Sequence, residues 1–141
     1  MNDKVTGVIF PLPINIAERI LDKKKKIFIK YPTHNNTKKS KTKLKENIKL
    51  FIYISKFKGK IFGEAIINKI DYLSINNIPK IYLKNLMLNY HELQKYSKGR
   101  ENKKAVLLHL KGIKKYVKPK KIKVPITMAG RYVLKGDGLN V

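Results

Sequence analysis

Two side-chain chemistries recur together in this chain: cations that can neutralise phosphate and tyrosines that can stack on a base. Tyr31 follows Lys30, Tyr53 lies near Lys56, Tyr96 precedes Lys98 and Arg100, Tyr116 sits between Lys115 and Lys118, and Tyr132 follows Arg131. A positive groove with aromatic faces is a common way to hold single-stranded nucleic acid, because every base offers a π-face and every nucleotide a phosphate. In a chain this rich in lysine each adjacency alone is cheap, so position counts for more. Lys30, Tyr53, Ser55 and Arg100 fall at predicted strand or helix ends, where side chains can line the mouth of a small barrel without disturbing its core. Tyr53 and Tyr96 read equally well as core aromatics with a hydroxyl at the rim.

Acid–base and metal chemistry have less support. His34, His91 and His109 have no paired spacing, so neither a metal nor a cofactor is expected. His109 lies in an apolar run and reads as a hydrogen-bonded core histidine. Glu64 interrupts an apolar strand beside Gly63, and a buried carboxylate there could act as a base. Strand alternation instead points it outward with Phe62 and Ile66, toward a neighbouring lysine. No phosphate-loop, dinucleotide-binding or hydrolase-elbow motif is present.

Thirty-three Lys and Arg against nine Asp and Glu give a formal charge of +24 over 141 residues. Such a field gathers polyanions before any specific contact forms. All but Arg19, Arg100 and Arg131 of these cations are lysines, and Ile and Asn are also abundant. An AT-rich genome imposes that bias, which explains many lysines but not the scarcity of acids. Arg100 and Arg131 are therefore the sharper probes of function. The absence of cysteine excludes disulfides and thiolate chemistry and fits the cytoplasm. Neither a signal peptide nor a membrane-spanning apolar run is read, so no membrane partner is expected.

The elements that must position these residues follow from periodicity and punctuation. Val5 to Phe10 is a strand that Pro11-Leu12-Pro13 ends. Ile16, Ala17, Ile20 and Leu21 share one helical face, and Ile27 to Tyr31 is a strand that stops before Pro32. Residues 32–46 read as a mobile basic loop. Ile48 to Ser55 alternates as a central strand, with Ile48, Leu50, Ile52 and Ile54 on one face. A turn containing Gly59 makes it a hairpin with Ile61 to Ile70, in which Gly63 marks a bulge or a close backbone approach. The stretch from Asp71 to Leu86 reads as either helix or strand. Asn89 and Glu92 have the spacing of a helix start, with Tyr90, Leu93 and Tyr96 as its stripe and an end near Gly99. Ala105 to Leu110 is a buried strand, Val117 to Val124 a lysine-rich edge strand around Pro119, and Arg131 to Leu134 a last apolar run before a frayed tail at 136–141. The sum is a single α+β domain over 1–141, with its core at about 5–135. It has about six strands and two short helices, on a curled or closed sheet.

The order of these segments resembles an archaeal family known as domain of unknown function 365. The resemblance rests on Gly7-Val8-Ile9-Phe10-Pro11-Leu12-Pro13, Ala17-Glu18-Arg19-Ile20-Leu21, Ile27-Phe28-Ile29-Lys30, Phe51-Ile52-Tyr53-Ile54-Ser55, Gly63-Glu64-Ala65, Glu92-Leu93-Gln94-Lys95-Tyr96, Ile113-Lys114-Lys115-Tyr116 with Pro119, and Gly130-Arg131-Tyr132. It implies a PUA-like pseudobarrel related to the ASCH, EVE and YTH groups, which commonly bind RNA or modified bases. Tyr53-x-Ser55 resembles the strand lining the ligand pocket of EVE-type relatives, and Lys30 ends the strand entering the same cleft. Two departures stand out: Lys23 replaces a Gly frequent in the family after the first helix, and no Trp is available for an aromatic cage.

The expectation is a monomeric module that binds RNA or a nucleotide in a cleft lined by Lys30, Tyr53, Ser55 and Arg100. Tyr53 or Tyr96 would stack on a base, Ser55 would read its edge, and Lys56, Arg100 and Arg131 would meet phosphate, with Tyr116 a further contact. One alternative is a hydrolase of RNA or modified nucleosides using Lys30, Glu64 and Tyr53. Another is a ribosome- or complex-associated protein that uses only its basic surface, including the loop from Lys38 to Lys45.

Overall fold

Apolar alternation and the β-branched runs become strands throughout the computed structural model, which describes residues 4–31, 44–57, 59–122, 126 and 130–135. In chain order these are β1 (Val5–Leu12), α1 (Ile14–Leu21), β2 (Ile27–Lys30), β3 (Lys49–Ile54), β4 (Lys60–Ser74), α2 (Tyr90–Ser97), β5 (Lys104–Lys121) and β6 (Arg131–Leu134). The ambiguous stretch from Asp71 to Leu86 is the end of β4, to Ser74, followed by two 3-10 turns, Ile75–Asn77 and Lys80–Asn85, that lead to α2. The basic loop expected at 32–46 lies outside the described residues over 32–43, as does the tail at 136–141.

The strands form one mixed sheet in the order β2-β5-β4-β3-β1-β6. Only β1 and β3 run parallel; every other neighbouring pair is antiparallel. Among the described residues β2 and β6 are the two ends, so the ladder is open and not a closed barrel. Its curvature comes from bulges, which bend and twist a strand where an extra residue is inserted. The β4–β5 register shifts at three places and the β3–β4 register at one.

Curling buries both faces of β3. Leu50, Ile52 and Ile54 join the main core with α1, β2 and the first half of β5. Phe51 and Tyr53, on the opposite face, join a smaller core with Ile9, Ile61, Tyr116 and Val133. The amphipathic face of α1 packs as its spacing requires, with Ile16, Ala17, Ile20 and Leu21 all buried. Gly63 is needed because β4 passes close to its neighbours: a Cβ there would lie 2.4 Å from Leu21 Cδ2 and 2.6 Å from the Lys114 carbonyl oxygen.

Three expectations change. Ala105 to Leu110 and the lysine-rich segment after it are one strand, because Gly112 at φ +59° and Pro119 sit within bulged stretches and do not end the pairing. Among the described residues the second half does keep an edge, since β2 pairs with Val106 to His109 and no further. On α2 the stripe reduces to Leu93 and Tyr96, and Tyr90 is exposed. After α1 the left-handed residue is Lys24, at φ 55°, so the turn beside Lys23 forms without the glycine that favours this conformation.

Candidate functional site

The end of β1, the start of α1, β2 and the segment leading into α2 enclose a cavity of about 240 Å³. Its walls are Pro11, Leu12, Pro13, Ile16, Phe28, Ile29, Met87 and Leu88, with Lys30 and Tyr96 adding polar groups. Pro11 does not end β1 as expected but lies within it, in register with Tyr53; Pro13, the N-cap of α1, ends the strand and turns the chain over the cavity. Below, Phe10 stacks on Phe28 with ring centroids 5.3 Å apart. Lys30 Nζ lies 5.4 Å from the Phe10 centroid.

α2 is set by its sequence and clamped to α1. Asn89 Oδ1 accepts from the Glu92 backbone N–H at 2.9 Å, and Glu92 Oε1 accepts from the Asn89 N–H at 2.8 Å, completing a capping box. The same carboxylate receives the Arg19 guanidinium in a fork, with Nη2 to Oε2 at 2.9 Å, and Nη1 also donates to the Met87 carbonyl at 2.9 Å. The fork holds the Glu92 carboxyl below its ordinary pKa, helped by the Asn89 backbone N–H. It raises that of Arg19. A bidentate charge-assisted pair of this kind fixes orientation as well as contributing energy. It aims Tyr96 at the cavity.

Beyond α2 the chain turns at Gly99 and brings Arg100 back onto two aromatic faces. Its guanidinium carbon lies 4.3 Å from the Tyr31 ring centroid and 4.7 Å from that of Tyr96. The two rings are 5.3 Å apart. Arg100 Nη2 donates to the Tyr96 carbonyl, and the Tyr96 hydroxyl accepts from the Tyr31 backbone N–H at 3.0 Å. Tyr31 is itself buried, and its hydroxyl has no hydrogen-bond partner among the described residues. Burial, and then the nearby Arg100 charge, push the Lys30 pKa below its ordinary value. Lys30 is in the cavity wall and Arg100 sits on the ring of Tyr96, another wall residue, so an anion drawn to this side of the cavity would relieve the repulsion between them.

The residues predicted for the site divide into two groups. Lys30, Tyr96 and Arg100 come together. Ser55 supports the same wall from behind: its N–H and Oγ–H both donate to the Leu12 carbonyl, at 3.0 and 3.3 Å. Tyr53 does not join them. It is buried in the smaller core on the other face of β3, where its hydroxyl accepts from the Gly59 N–H at 2.9 Å. Alternation from Ile52, which faces the main core, sends it there. Lys56 is exposed, with Nζ 6.0 Å from the Phe57 ring centroid. Arg131 is exposed at the start of β6, in register with Ile9.

Tyr116 and Glu64 pair with each other beside the smaller core. Tyr116 O–H donates to Glu64 Oε1 at 2.8 Å, and Lys49 Nζ lies 3.1 Å from Oε2. Burial, and then the carboxylate that accepts its proton, raise the Tyr116 pKa. Glu64 therefore meets a lysine as alternation suggests, yet it is buried, because the bulge at Phe62 and the curl of β5 close that face. The acid–base pairing of Lys30 with Glu64 and Tyr53 is not assembled. His109 is the hydrogen-bonded histidine its setting implies, with Nε2 2.7 Å from Asp71 Oδ2 and its ring edge-on to Tyr82. Tyr82 O–H also donates to Asp71 Oδ2, at 3.1 Å.

Sequence reasoning left Tyr31 outside the predicted cleft and missed the apolar wall. A signal existed for the wall in Pro11-Leu12-Pro13, whose second proline stands between a strand and a helix. None existed for Tyr31 meeting Arg100. Among the described residues no cluster of three or more His, Cys, Asp or Glu could hold a metal, and no helix is long and apolar enough to cross a membrane.

A family model described as Domain of unknown function (DUF365) matches residues 5–135. No curated protein matches the sequence. Among solved structures, ASCH from Zymomonas mobilis superposes with a TM-score of 0.73 at 16% identity, over 94% of this chain and 90% of that one. A single-residue mutant of the same protein gives 0.75 at 16% identity, over 97% and 94%. At this identity the likeness concerns the fold, the mixed α+β architecture of ASCH.

Proposed function

The chain belongs to the DUF365 family, and from its ASCH-like fold we propose that it is a binding module for RNA or a nucleotide-sized ligand, held at the cavity between α1, β2 and α2. One observation carries the reading: Arg100 packs on the rings of Tyr31 and Tyr96, and Tyr96 and Lys30 in turn line an apolar cavity. An apolar wall suits a base, and neighbouring cations suit its phosphate. The cavity, about 240 Å³, is smaller than the roughly 300–1,000 Å³ of sites for drug-sized ligands. It suits one base and its attached groups better than a longer segment. The buried hydroxyl of Tyr31, whose ring Arg100 covers, is a further hydrogen-bonding group within the same cluster.

In this reading the protein acts in the cytoplasm as a monomer and needs no cofactor. A hydrolytic role for Lys30, Glu64 and Tyr53 gains nothing from their positions, since Glu64 is committed to Tyr116 and Lys49.

The test is the salt dependence of single-stranded RNA binding, followed by fluorescence anisotropy. Log affinity should fall against log salt with a slope of about −0.7 for each phosphate contacted. A flat dependence, or no binding at low salt, overturns the reading.

A further inference from the structure

A second basic feature lies away from the cavity, on the half of β5 that β2 does not cover. From Lys111 to Lys121 this strand carries Lys111, Lys114, Lys115, Lys118, Lys120 and Lys121 and no acid. All but Lys120 are exposed. The turn after α1, with Lys23, Lys24 and Lys26 exposed, packs against the same edge: Lys24 Nζ donates to the Ile113 carbonyl at 3.5 Å, and Lys115 Nζ donates to Asp22 Oδ1 at 2.7 Å. On the inner side Lys60 of β4 stands directly opposite Lys121. Like charges in that register repel.

We propose that this edge and the turn after α1 form a second surface, which binds the phosphodiester backbone of a nucleic-acid strand without reading its sequence. Compositional drift scatters lysines along a chain, but it does not explain why two runs about ninety residues apart are packed against one another. Asp22 brings one negative charge to this cluster, and Lys115 takes it. Assembling so many cations costs free energy that a polyanion returns by releasing its counterions. The chemistry favours a phosphate backbone over a lipid surface. A membrane-lying face needs several apolar anchors, and among the described residues of this edge Val117 is the one large exposed hydrophobic side chain.

The two surfaces are joined by α1. Pro13 and Ile16 at its start line the cavity, and Asp22 caps its end at the basic edge. The helix is about 12 Å long at 1.5 Å per residue, a span of about three to four phosphates at the 3.4 Å stacked spacing. One strand could thus place a base in the cavity and its backbone along the edge. The edge would hold a backbone even with the cavity empty.

The experiment compares wild type with the triple variant Lys111→Gln, Lys114→Gln, Lys118→Gln, checked for an unchanged circular dichroism spectrum and melting temperature. The probes are a single-stranded RNA of about twenty nucleotides, a nucleoside monophosphate, and vesicles containing phosphatidylserine. The variant should lose about 2 from the log–log salt slope for the oligonucleotide. Between about 200 and about 50 mM salt its affinity gain should then be about 20-fold smaller than that of wild type, with binding of the monophosphate unchanged. An unaltered slope overturns the proposal, as does vesicle binding that depends on these lysines when RNA binding does not. Loss of monophosphate binding on changing Arg100, with the edge variant normal, would remove the edge proposal alone.

Discussion

Replacing Arg100 with Ala should weaken binding of a short single-stranded RNA by about 30- to 100-fold at moderate salt, the loss of an anchoring group worth about 2–3 kcal/mol. The effect has two sources. The guanidinium is a cation, and it also packs against the rings of Tyr31 and Tyr96. Arg100→Lys separates them, because an ammonium keeps the charge but lacks the guanidinium's planar face for packing on an aromatic ring. That variant should retain the salt slope and lose about tenfold, whereas Ala should also reduce the slope by about 0.7. Anisotropy titrations across a salt series check both. Wild-type affinity in Arg100→Ala would remove this residue from the site.

The second large effect concerns the fold. Gly63→Ala should destabilise the protein by about 3 kcal/mol, lowering the melting temperature by about 10 °C. The added methyl would meet Leu21 Cδ2 at 2.4 Å, which can yield, and the Lys114 carbonyl oxygen at 2.6 Å, which cannot yield without moving β5. Gly99→Ala is the matched control. That position has φ +79° but nothing within 4 Å of a Cβ, so only the conformational cost of about 1 kcal/mol applies. Thermal melts of the two variants should therefore differ clearly. Equal losses would mean that β4 and β5 are not packed this closely at Gly63.

Local chemistry made much of the fold legible in the sequence. The face of α1 from Ile16 to Leu21, the Asn89–Glu92 cap and the special position of Gly63 depend on residues close in sequence or on one unusual backbone, and all three are found. Tyr53 was harder to assign, because alternation sorts the faces of β3 without saying that both are buried. The stretch around Gly112 looks like a break between two strands, but in a strongly bulged edge it is tolerated within one, as Pro119 is. The candidate site was legible only in part. Lys30 and Arg100 stood out as cations at element ends, but what joins them is the packing of Arg100 on Tyr31, 69 residues away, and the fork from Arg19 to Glu92 that orients α2. Such contacts leave no local pattern. The smaller core beside Glu64 was hidden for the same reason, since Tyr116 reaches it from the far half of β5.

Whether the cavity is the binding site can be read from methyl-labelled protein by nuclear magnetic resonance during titration with a nucleoside monophosphate. The methyl groups of Leu12, Ile16, Ile29, Met87 and Leu88, which line the cavity, should shift with a common saturation curve. Those of Ile9, Ile61 and Val133, in the smaller core on the other side of β3, should not. Shifts confined to the smaller core, or no methyl shifts while the protein still binds RNA, would contradict a base held between α1, β2 and α2.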